Sequence, residues 1–492
     1  MSAFFSHNKN AAGQGNSTTS IRIFYAAGML LGGLLILFAA RGDLWLDEIW
    51  SVFIAEAART PWEIISVYKH DNNHVLNTLY LYLLGKQEHL LFYRLFSIVS
   101  GIASLVLLVK IAQRWGRFES IFVLLLAGTS YPLILYFSEA RGYAPAIFFG
   151  LLSFYIIQES QNHYSPVKLV SFWIISILGT LAHLTFVIVF LALVIYIIHY
   201  EFSTGKTFFM KSWQILKYLF VPFVFIASFY FYFVKGMAIG GGPPIDRYSQ
   251  LVRGINCLLG LPDALWYVGL LILVLLLSVV VYMLYADKSP IWSFSLAVLI
   301  IVPAAIIIIT NPEYFHYRYL IVCFPFYYLV MAFVLARAYR SDKKMLHYFA
   351  MIVIILYVMG QSYRLVPFFQ YGRGSYQPIV IEMENASSSD IITVGSDNDF
   401  RNKMVLSFYS RFLQNQKKIQ YIDQQFWNSD PPEWMIVHSL DESAKPESWI
   451  QTATDKIYRL VKTEKFSGDS GFNWFLYHDS NKQVRKHSED KT

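Results

Sequence analysis

Residues 21–40, IRIFYAAGMLLGGLLILFAA, run straight into RGDLWLDEIWS at 41–51. The apolar run matches the roughly 20 residues that a helix needs to cross a bilayer core about 30 Å thick. Asp47 and Glu48, flanked by Trp45 and Trp50, therefore stand where the chain leaves the membrane. Carboxylates at that depth are costly unless they face water, a cation or a reacting group. A solvated, helix-capping pair with indole anchors at the interface is the alternative.

The rest of the composition fixes the class. Of 492 residues, 55 % are hydrophobic, 17 % aromatic and 15 % charged, against about 25 % charged in soluble globular chains. Mean hydropathy is +0.42, so the chain reads as a polytopic α-helical membrane protein. A net charge of +7 is modest for this length, does not argue for nucleic acid, and suits topology signals and contact with membrane lipids. Cys257 and Cys323 imply no disulfide framework. Residues 1–20 are polar and Ser/Asn/Gly-rich with no small-residue cleavage site after the run, which reads as a cytoplasmic tail before a retained first helix.

Working outward, apolar runs predict about 11 transmembrane helices, near 21–40, 92–110, 119–137, 143–158, 167–182, 184–200, 217–234, 264–286, 291–310, 319–336 and 345–363. The run 167–200 reads as two short helices or one long one. Basic loops at Lys110–Arg114–Arg117, Lys206–Lys211–Lys217 and Arg337–Arg340–Lys343–Lys344 fall on one side with the N-terminus, the cytoplasmic side by the positive-inside rule. The expected location is the inner (plasma) membrane, with the tail after 363 outside, in the periplasm. The first outer loop, 41–91, carries apolar residues at helical spacing in 50–60, 61–70 and 75–85, which predicts juxtamembrane helices roofing a cavity. Gly240-Gly241-Gly242-Pro243-Pro244, in the Gly-rich loop 235–262, reads as a flexible connector or gate rather than a phosphate cradle, since no helical pattern follows directly.

Several polar residues share that outer leaflet. His70 and His74 bracket Asp71-Asn72-Asn73 and suit a metal site or a hydrogen-bonded loop. Glu139 and Arg141 lie between two helices, where a local ion pair is the plain reading. His183 interrupts an apolar run, and Glu313, His316 and Arg318 precede another. Acid, base and guanidinium converging on one cavity point to chemistry. An inward-facing core histidine and a snorkelling arginine are the structural alternatives.

Taken together, LDE at the end of the first helix, DNNHVLNTLYLYL, YRLFSIVSGIASLVLLVKIAQRWG, SEARGYA, the His183 helix and EYFHYRYL with Pro325 resemble the GT-C class of integral-membrane glycosyltransferases over residues 20–365. The nearest group is the bacterial one similar to protein O-mannosyltransferases, lipid A aminoarabinose transferases and lipopolysaccharide galacturonosyltransferases. Where many relatives carry Pro-Pro-Leu-Tyr, this chain reads His74-Val75-Leu76-Asn77-Thr78-Leu79-Tyr80. The resemblance implies a GT-C-like catalytic domain over 21–363. It implies transfer of a sugar from a polyprenyl-phosphate-linked donor to an acceptor lipid, glycan or protein at the outer face, with inversion. Asp47 matches the family's acidic position and is the expected general base; Glu48 is a second carboxylate, an orienting group or a ligand for a divalent metal. Arg141 and Arg318 are the expected donor phosphate contacts, since a guanidinium fork suits phosphate oxygens. His70, His74, Glu139, Tyr143, His183 and Tyr319 are expected to position sugar or acceptor. A transporter for a polar or anionic substrate and a non-catalytic membrane assembly protein are the competing classes; no internal repeat supports the former.

From 364 to 492 the apolar runs shorten to strand length: PIVIEM (378–383), DIITVG (390–395), KIQYID (418–423), EWMIVHS (433–439) and FNWFLYH (472–478). A helical pattern lies at 400–416. This predicts a small α/β domain outside the membrane.

Overall fold

The computed structural model describes residues 14–240, 246–415, 417–452 and 456–480. The start of the N-terminal tail and Gly241 to Pro244 of the expected connector lie outside the described residues. Helices form at all eleven expected places, and they differ in length and apolarity. Among the described residues, eight are long and apolar enough to cross a bilayer: Arg22–Ala39, Leu91–Gln113, Phe186–Ser203, Phe208–Gly236, Asp263–Asp287, Pro290–Thr310, Tyr317–Tyr339 and Lys344–Tyr371. A ninth arises if Arg117–Gly128 and Tyr131–Phe137, bent by 65°, count as one. The bend comes at Thr129-Ser130, where the Ser130 hydroxyl accepts the Leu133 amide and Pro132 sits in the first turn. Tyr143–Asn162 ends in the polar run Gln158-Glu159-Ser160-Gln161, and Pro166–Ala182 has only 17 residues. The chain is an integral membrane protein, with eight or nine helices among the described residues that qualify as spans by length and apolarity.

The run 167–200 is two helices, Pro166–Ala182 and Phe186–Ser203, with His183 at the break. The first outer loop folds as expected into short helices, Leu46–Ala57, Glu63–Ser66 and Val75–Leu84. A helix, Arg247–Leu259, follows the glycine stretch where the sequence suggested none; it is started by Asp246, whose carboxylate accepts the Ser249 amide at 2.8 Å.

The tail is a six-stranded sheet with order β2-β1-β3-β6-β5-β4. The strands are β1 Ile391–Ser396, β2 Lys418–Tyr421, β3 Trp434–Ser439, β4 Trp449–Gln451, β5 Ile457–Glu464 and β6 Asn473–Asp479. β1 runs parallel to β2 and β3; the other pairs are antiparallel. PIVIEM is not a strand: Gln377–Ala386 is a helix with Pro378 in its first turn. Asp43 supplies its cap, accepting the Tyr376 and Gln377 amides at 2.7 and 2.8 Å. Ile379, Val380 and Met383 then share a buried face at helical spacing.

One hydrophobic core joins this domain to the first outer loop. Leu44, Leu46, Ile49 and Val52 pack with Val380, Val405, Trp434 and Trp474. Glu56 and Arg411 add a bidentate pair at 2.7 Å. The first loop is thus sandwiched between bundle and sheet.

Lys344–Tyr371 has 28 residues, roughly 42 Å at 1.5 Å per residue, so its ends reach opposite membrane faces. Cysteines placed at Ser341 and Ser375 should react with an impermeant maleimide from opposite sides, Ser375 from outside. Cys257 and Cys323 are buried and should stay silent. Equal labelling of both sites from outside contradicts this arrangement.

Candidate active site

Three local structures meet at one cavity of about 680 Å³. The helix Leu46–Ala57 begins where Glu48 Oε2 accepts the Trp45 amide at 3.2 Å, a cap formed by the third helical residue reaching back. Asp47, one position earlier, projects into the cavity. The loop Ser138 to Gly142 supplies Arg141, and the turn before Phe324–Tyr339 supplies Arg318 and Tyr319.

Glu48 and Asp47 are neighbours with opposite fates. Glu48 is fully buried, as is Arg94, which donates to it from Nε at 2.7 Å and from Nη2 at 2.6 Å. The Ala140 amide donates to Glu48 Oε1 at 2.7 Å. Burial alone would raise the Glu48 pKa, but the Arg94 charge and hydrogen bonds bring it below the usual range. Glu48 does not line the cavity; it anchors the Arg141 loop. Asn77 Nδ2 donates to Ala140 O at 2.9 Å and Ser97 Oγ to Arg141 O at 3.0 Å, which completes the anchoring. Gly142 tolerates no side chain: a Cβ there would fall 1.8 Å from the Ala182 carbonyl oxygen.

Asp47 meets two guanidiniums. Arg141 Nη1 lies 2.9 Å and Arg318 Nη1 3.5 Å from Asp47 Oδ2. Arg141 Nη2 donates to Asn72 Oδ1 at 2.9 Å, while Asn72 Nδ2 donates to the Asp47 carbonyl at 2.9 Å. Arg141 Nε and Nη1 and Arg318 Nε remain buried without a hydrogen bond, since the ion pair at Arg141 Nη1 is off the N–H direction. Asp47 Oδ1 has no partner among the described residues. Two cations face one carboxylate, with N–H groups to spare.

His74, Tyr143 and His183 line the same cavity with Tyr319. His74 Nδ1 accepts the Gly142 amide at 3.0 Å, and His183 Nδ1 the Thr185 amide at 3.2 Å. Burial, His183 and the two arginines hold His74 well below the usual histidine value. Burial followed by Arg141 and Arg318 pushes His183 down to about 3. Glu139 and His70 stand outside the lining. Glu139 is fully buried, its Oε1 3.4 Å from Arg373 Nε, so it does not form the local pair with Arg141. His70 packs against Trp50, with ring centroids 4.2 Å apart and the rings tilted by 48°, and its Nδ1 lies 2.8 Å from Asp71 Oδ1. The His70–His74 pair therefore faces two ways. Among the described residues no three His, Cys, Asp or Glu side chains gather as metal ligands, and Asp47 Oδ2 already contacts both arginines. This donor set does not fit a metal.

Sequence reasoning missed three residues around the site. Arg94 lay unremarked in the stretch that opens the second helix, and Arg373 between the last expected membrane helix and the first expected strand. Arg373 is buried and donates to Leu135 O at 2.7 Å and Ser138 Oγ at 3.0 Å. Asp469 belongs to the soluble domain yet reaches the bundle, accepting from Tyr317 Oη at 2.5 Å and pairing with Arg253 Nε at 2.5 Å. Their charge was visible; their long-range partners were not.

Neither a family model nor a curated protein matches the sequence. Solved structures do. ArnT from Cupriavidus metallidurans in the apo state superposes with a TM-score of 0.52 at 12 % identity, covering 86 % of this chain and 93 % of ArnT. The structure of the same protein bound to undecaprenyl phosphate gives 0.50 at 11 % identity, covering 94 % and 98 %. At such identity the likeness concerns the fold: this chain has the polytopic GT-C fold of ArnT.

Two outcomes follow from this geometry. Glu48→Gln leaves the Arg94 charge buried without its counter-ion, which costs about 3–5 kcal/mol; unfolding of the purified protein in detergent should register the loss, and an unchanged transition contradicts the anchoring role. The second concerns pH. His74, His183 and His316 (pushed down to about 4 by burial and Arg318) are held neutral when folded. The unfolded chain takes up those protons first, near pH 6.5. Stability is therefore full above about 6.5 and declines as pH falls toward 4; His74→Gln should flatten the decline.

Proposed function

We propose that this chain is a glycosyltransferase that moves a sugar from a polyprenyl-phosphate-linked donor to an acceptor at the outer face of the membrane. The observation that carries the reading is the pair of guanidiniums around Asp47 with buried N–H groups left over. Buried donors call for acceptors, and a phosphate anion between Arg141 and Arg318 supplies them in the fork geometry that arginine suits. The aliphatic lining from Leu184, Ile188, Pro303, Ile306 and Ile307 gives a lipid chain a place beside that anion. The ArnT fold, seen in a neighbour bound to undecaprenyl phosphate, agrees with such a donor.

The mechanism follows from charge. In the resting site Arg141 and Arg318 both contact Asp47 Oδ2. A donor phosphate competes for the same N–H groups and loosens their hold on Asp47. Asp47 Oδ1 then takes the proton of the acceptor hydroxyl as its oxygen attacks the anomeric carbon. The bond to the lipid phosphate breaks with inversion, and its oxygen leaves as an anion held by the two arginines. Such preorganised stabilisation of a departing phosphate contributes several kcal/mol in a water-poor site. The charge on the leaving group is thus met by side chains, and no step runs through a metal. Glu48 acts at a distance, by fixing the loop that carries Arg141. The soluble domain covers the cavity through Phe400, Arg401, Leu440 and Phe472 and shapes acceptor access.

The test is release of polyprenyl phosphate from a lipid-linked sugar by the purified protein. Asp47→Asn cannot take up the proton and should reduce turnover by about 10²-fold or more, with its thermal transition retained. Arg141→Lys and Arg318→Lys keep charge but lose the fork, so donor KM should rise in each. The double variant should cost less than the sum of the two if both hold one phosphate. Near wild-type turnover by Asp47→Asn removes Asp47 as the base. A transporter would move its substrate with no polyprenyl phosphate released in any variant.

A further inference from the structure

The soluble domain brings chemistry of its own to the cavity. β1 runs into Asp397-Asn398-Asp399-Phe400-Arg401-Asn402, and the Asn398 side chain accepts the Arg401 amide at 2.9 Å to start the helix Asp399–Tyr409. The chain passes through this helix to β2 on one side of β1, while β3 pairs with β1 on the other, and all three strands are parallel. The carboxyl ends of β1 and β3 therefore form a topological switch point, the place where open α/β sheets take their ligands. Residues just beyond those two ends, Phe400, Arg401 and Leu440, line the cavity that holds Asp47.

Hydrogen bonds at this switch point run in one direction. A guanidinium only donates, so His438 Nε2 accepts from Arg401 Nη1 at 3.1 Å. The imidazole proton then sits on Nδ1 and goes to Asp397 Oδ1 at 2.8 Å. Asp397 also accepts the His438 amide at 3.1 Å and Asn402 Nδ2 at 3.0 Å. The buried Trp474 indole donates to Asn402 Oδ1 at 2.7 Å, which fixes that amide's orientation. Phe472 packs edge-on against the His438 ring, with centroids 5.6 Å apart. Arg401 is thus held by a chain of groups rooted in the domain core. Its Nε and Nη2 have no hydrogen bond among the described residues.

The charge on Arg401 is also unclaimed. Arg141 and Arg318 share Asp47, whereas Arg401 forms no ion pair among the described residues. Asp397 stands behind the imidazole and outside the lining. Asp71 and Asp469 do line the cavity, but Asp71 faces His70 and the Gly240 amide, and Asp469 is engaged by Arg253 and Tyr317. Helix stability does not account for Arg401, since a cation in the first turn works against the helix dipole. Its neighbour Phe400 packs on Trp50 with centroids 5.2 Å apart, which adds aromatic surface to the same wall.

Resting on the glycosyltransferase reading, we propose that Arg401 holds an anionic group of the acceptor, a phosphate or a carboxylate, with Trp50 and Phe400 as the apolar wall beside it. Two unused N–H groups on a planar fork suit such oxygens. His438 is a positioning residue, which aims the fork by accepting from its other arm. The donor phosphate has Arg141 and Arg318 on the membrane side; Arg401 comes from the opposite, soluble side, where the acceptor enters.

The experiment is equilibrium binding to the full-length protein in phosphatidylcholine nanodiscs, with polyprenyl phosphate bound first so that Arg141 and Arg318 are occupied. The probes are radiolabelled hexyl glucoside, hexyl glucoside 6-phosphate and hexyl glucuronide. Both anionic probes should bind roughly tenfold more tightly than the neutral one, as expected for hydrogen bonds to a charged group. Arg401→Gln should remove that preference, and its effect should fall on the probes rather than on polyprenyl phosphate. Arg401→Lys should keep part of it. His438→Ala should reduce the preference, and His438→Gln, whose carbonyl can accept from Arg401, should restore most of it; thermal unfolding certifies that each variant is folded. Equal binding of neutral and anionic probes overturns the proposal, as does a preference that survives Arg401→Gln or a failure of all three probes to bind. Equal weakening of polyprenyl phosphate by Arg401→Gln would make Arg401 a donor contact, and Arg401-dependent displacement of the probes by phosphatidylglycerol would assign the site to membrane headgroups; either overturns the acceptor role. Selective, Arg401-dependent binding in a protein that releases no polyprenyl phosphate from any lipid-linked sugar would instead strike at the glycosyltransferase reading and leave the anion site standing.

Discussion

The structure depends on the buried ion pair between Glu48 and Arg94. Both side chains are fully buried, and such a pair holds only when the remaining lone pairs and protons are satisfied. Here they are. Glu48 takes amides from Trp45 and Ala140, while Arg94 gives its other N–H groups to the carbonyls of Ala40, Gly42 and Asp43 at 2.9, 2.5 and 2.7 Å. One ion pair thereby fixes the exit of the first membrane helix, the start of the helix carrying Asp47, and the loop carrying Arg141. Arg373 extends the same network to the soluble domain. Precision at the cavity comes from this scaffold behind it.

The adjacent carboxylates show how one residue of offset separates structure from chemistry. On a helix, successive residues point about 100° apart. Glu48 turns inward to a counter-ion that never leaves, and Asp47 turns to the cavity, where its counter-ions have other work. A permanently satisfied carboxylate is a good anchor and a poor base. One paired with guanidiniums that a substrate can recruit is a base held in reserve. The proposed reaction uses that difference: the donor's own phosphate competes for the groups that keep Asp47 quiet.

Much of this was legible in the sequence, and the reasons are physical. Charges are rare in apolar surroundings and expensive there, so Asp47, Arg141, His183 and Arg318 stood out before any coordinates, and all four line one cavity. Eleven helical places were readable from apolar runs. How they pack was not: Tyr143–Asn162 is largely covered by neighbours that sequence alone does not reveal. Roles that depend on distant partners were hidden. Glu48 read as a second carboxylate beside the expected base until Arg94, 46 positions away, was placed beside it. In the soluble domain PIVIEM has strand-like composition, yet Pro378 and the cap from Asp43 make it a helix. β5 escaped notice because basic and polar side chains interrupt its apolar pattern, as in KIYRLVKTE.

The account's central claim is that Arg141 and Arg318 grip the donor phosphate and in doing so release Asp47. The most direct measurement is a cryo-electron-microscopy structure of the protein in nanodiscs with a bound polyprenyl phosphate. The account predicts the phosphate within hydrogen-bond reach of both guanidiniums, with the contacts from Arg141 and Arg318 to Asp47 longer than the present 2.9 and 3.5 Å. A phosphate bound elsewhere, or one bound there with both contacts to Asp47 unchanged, would contradict it.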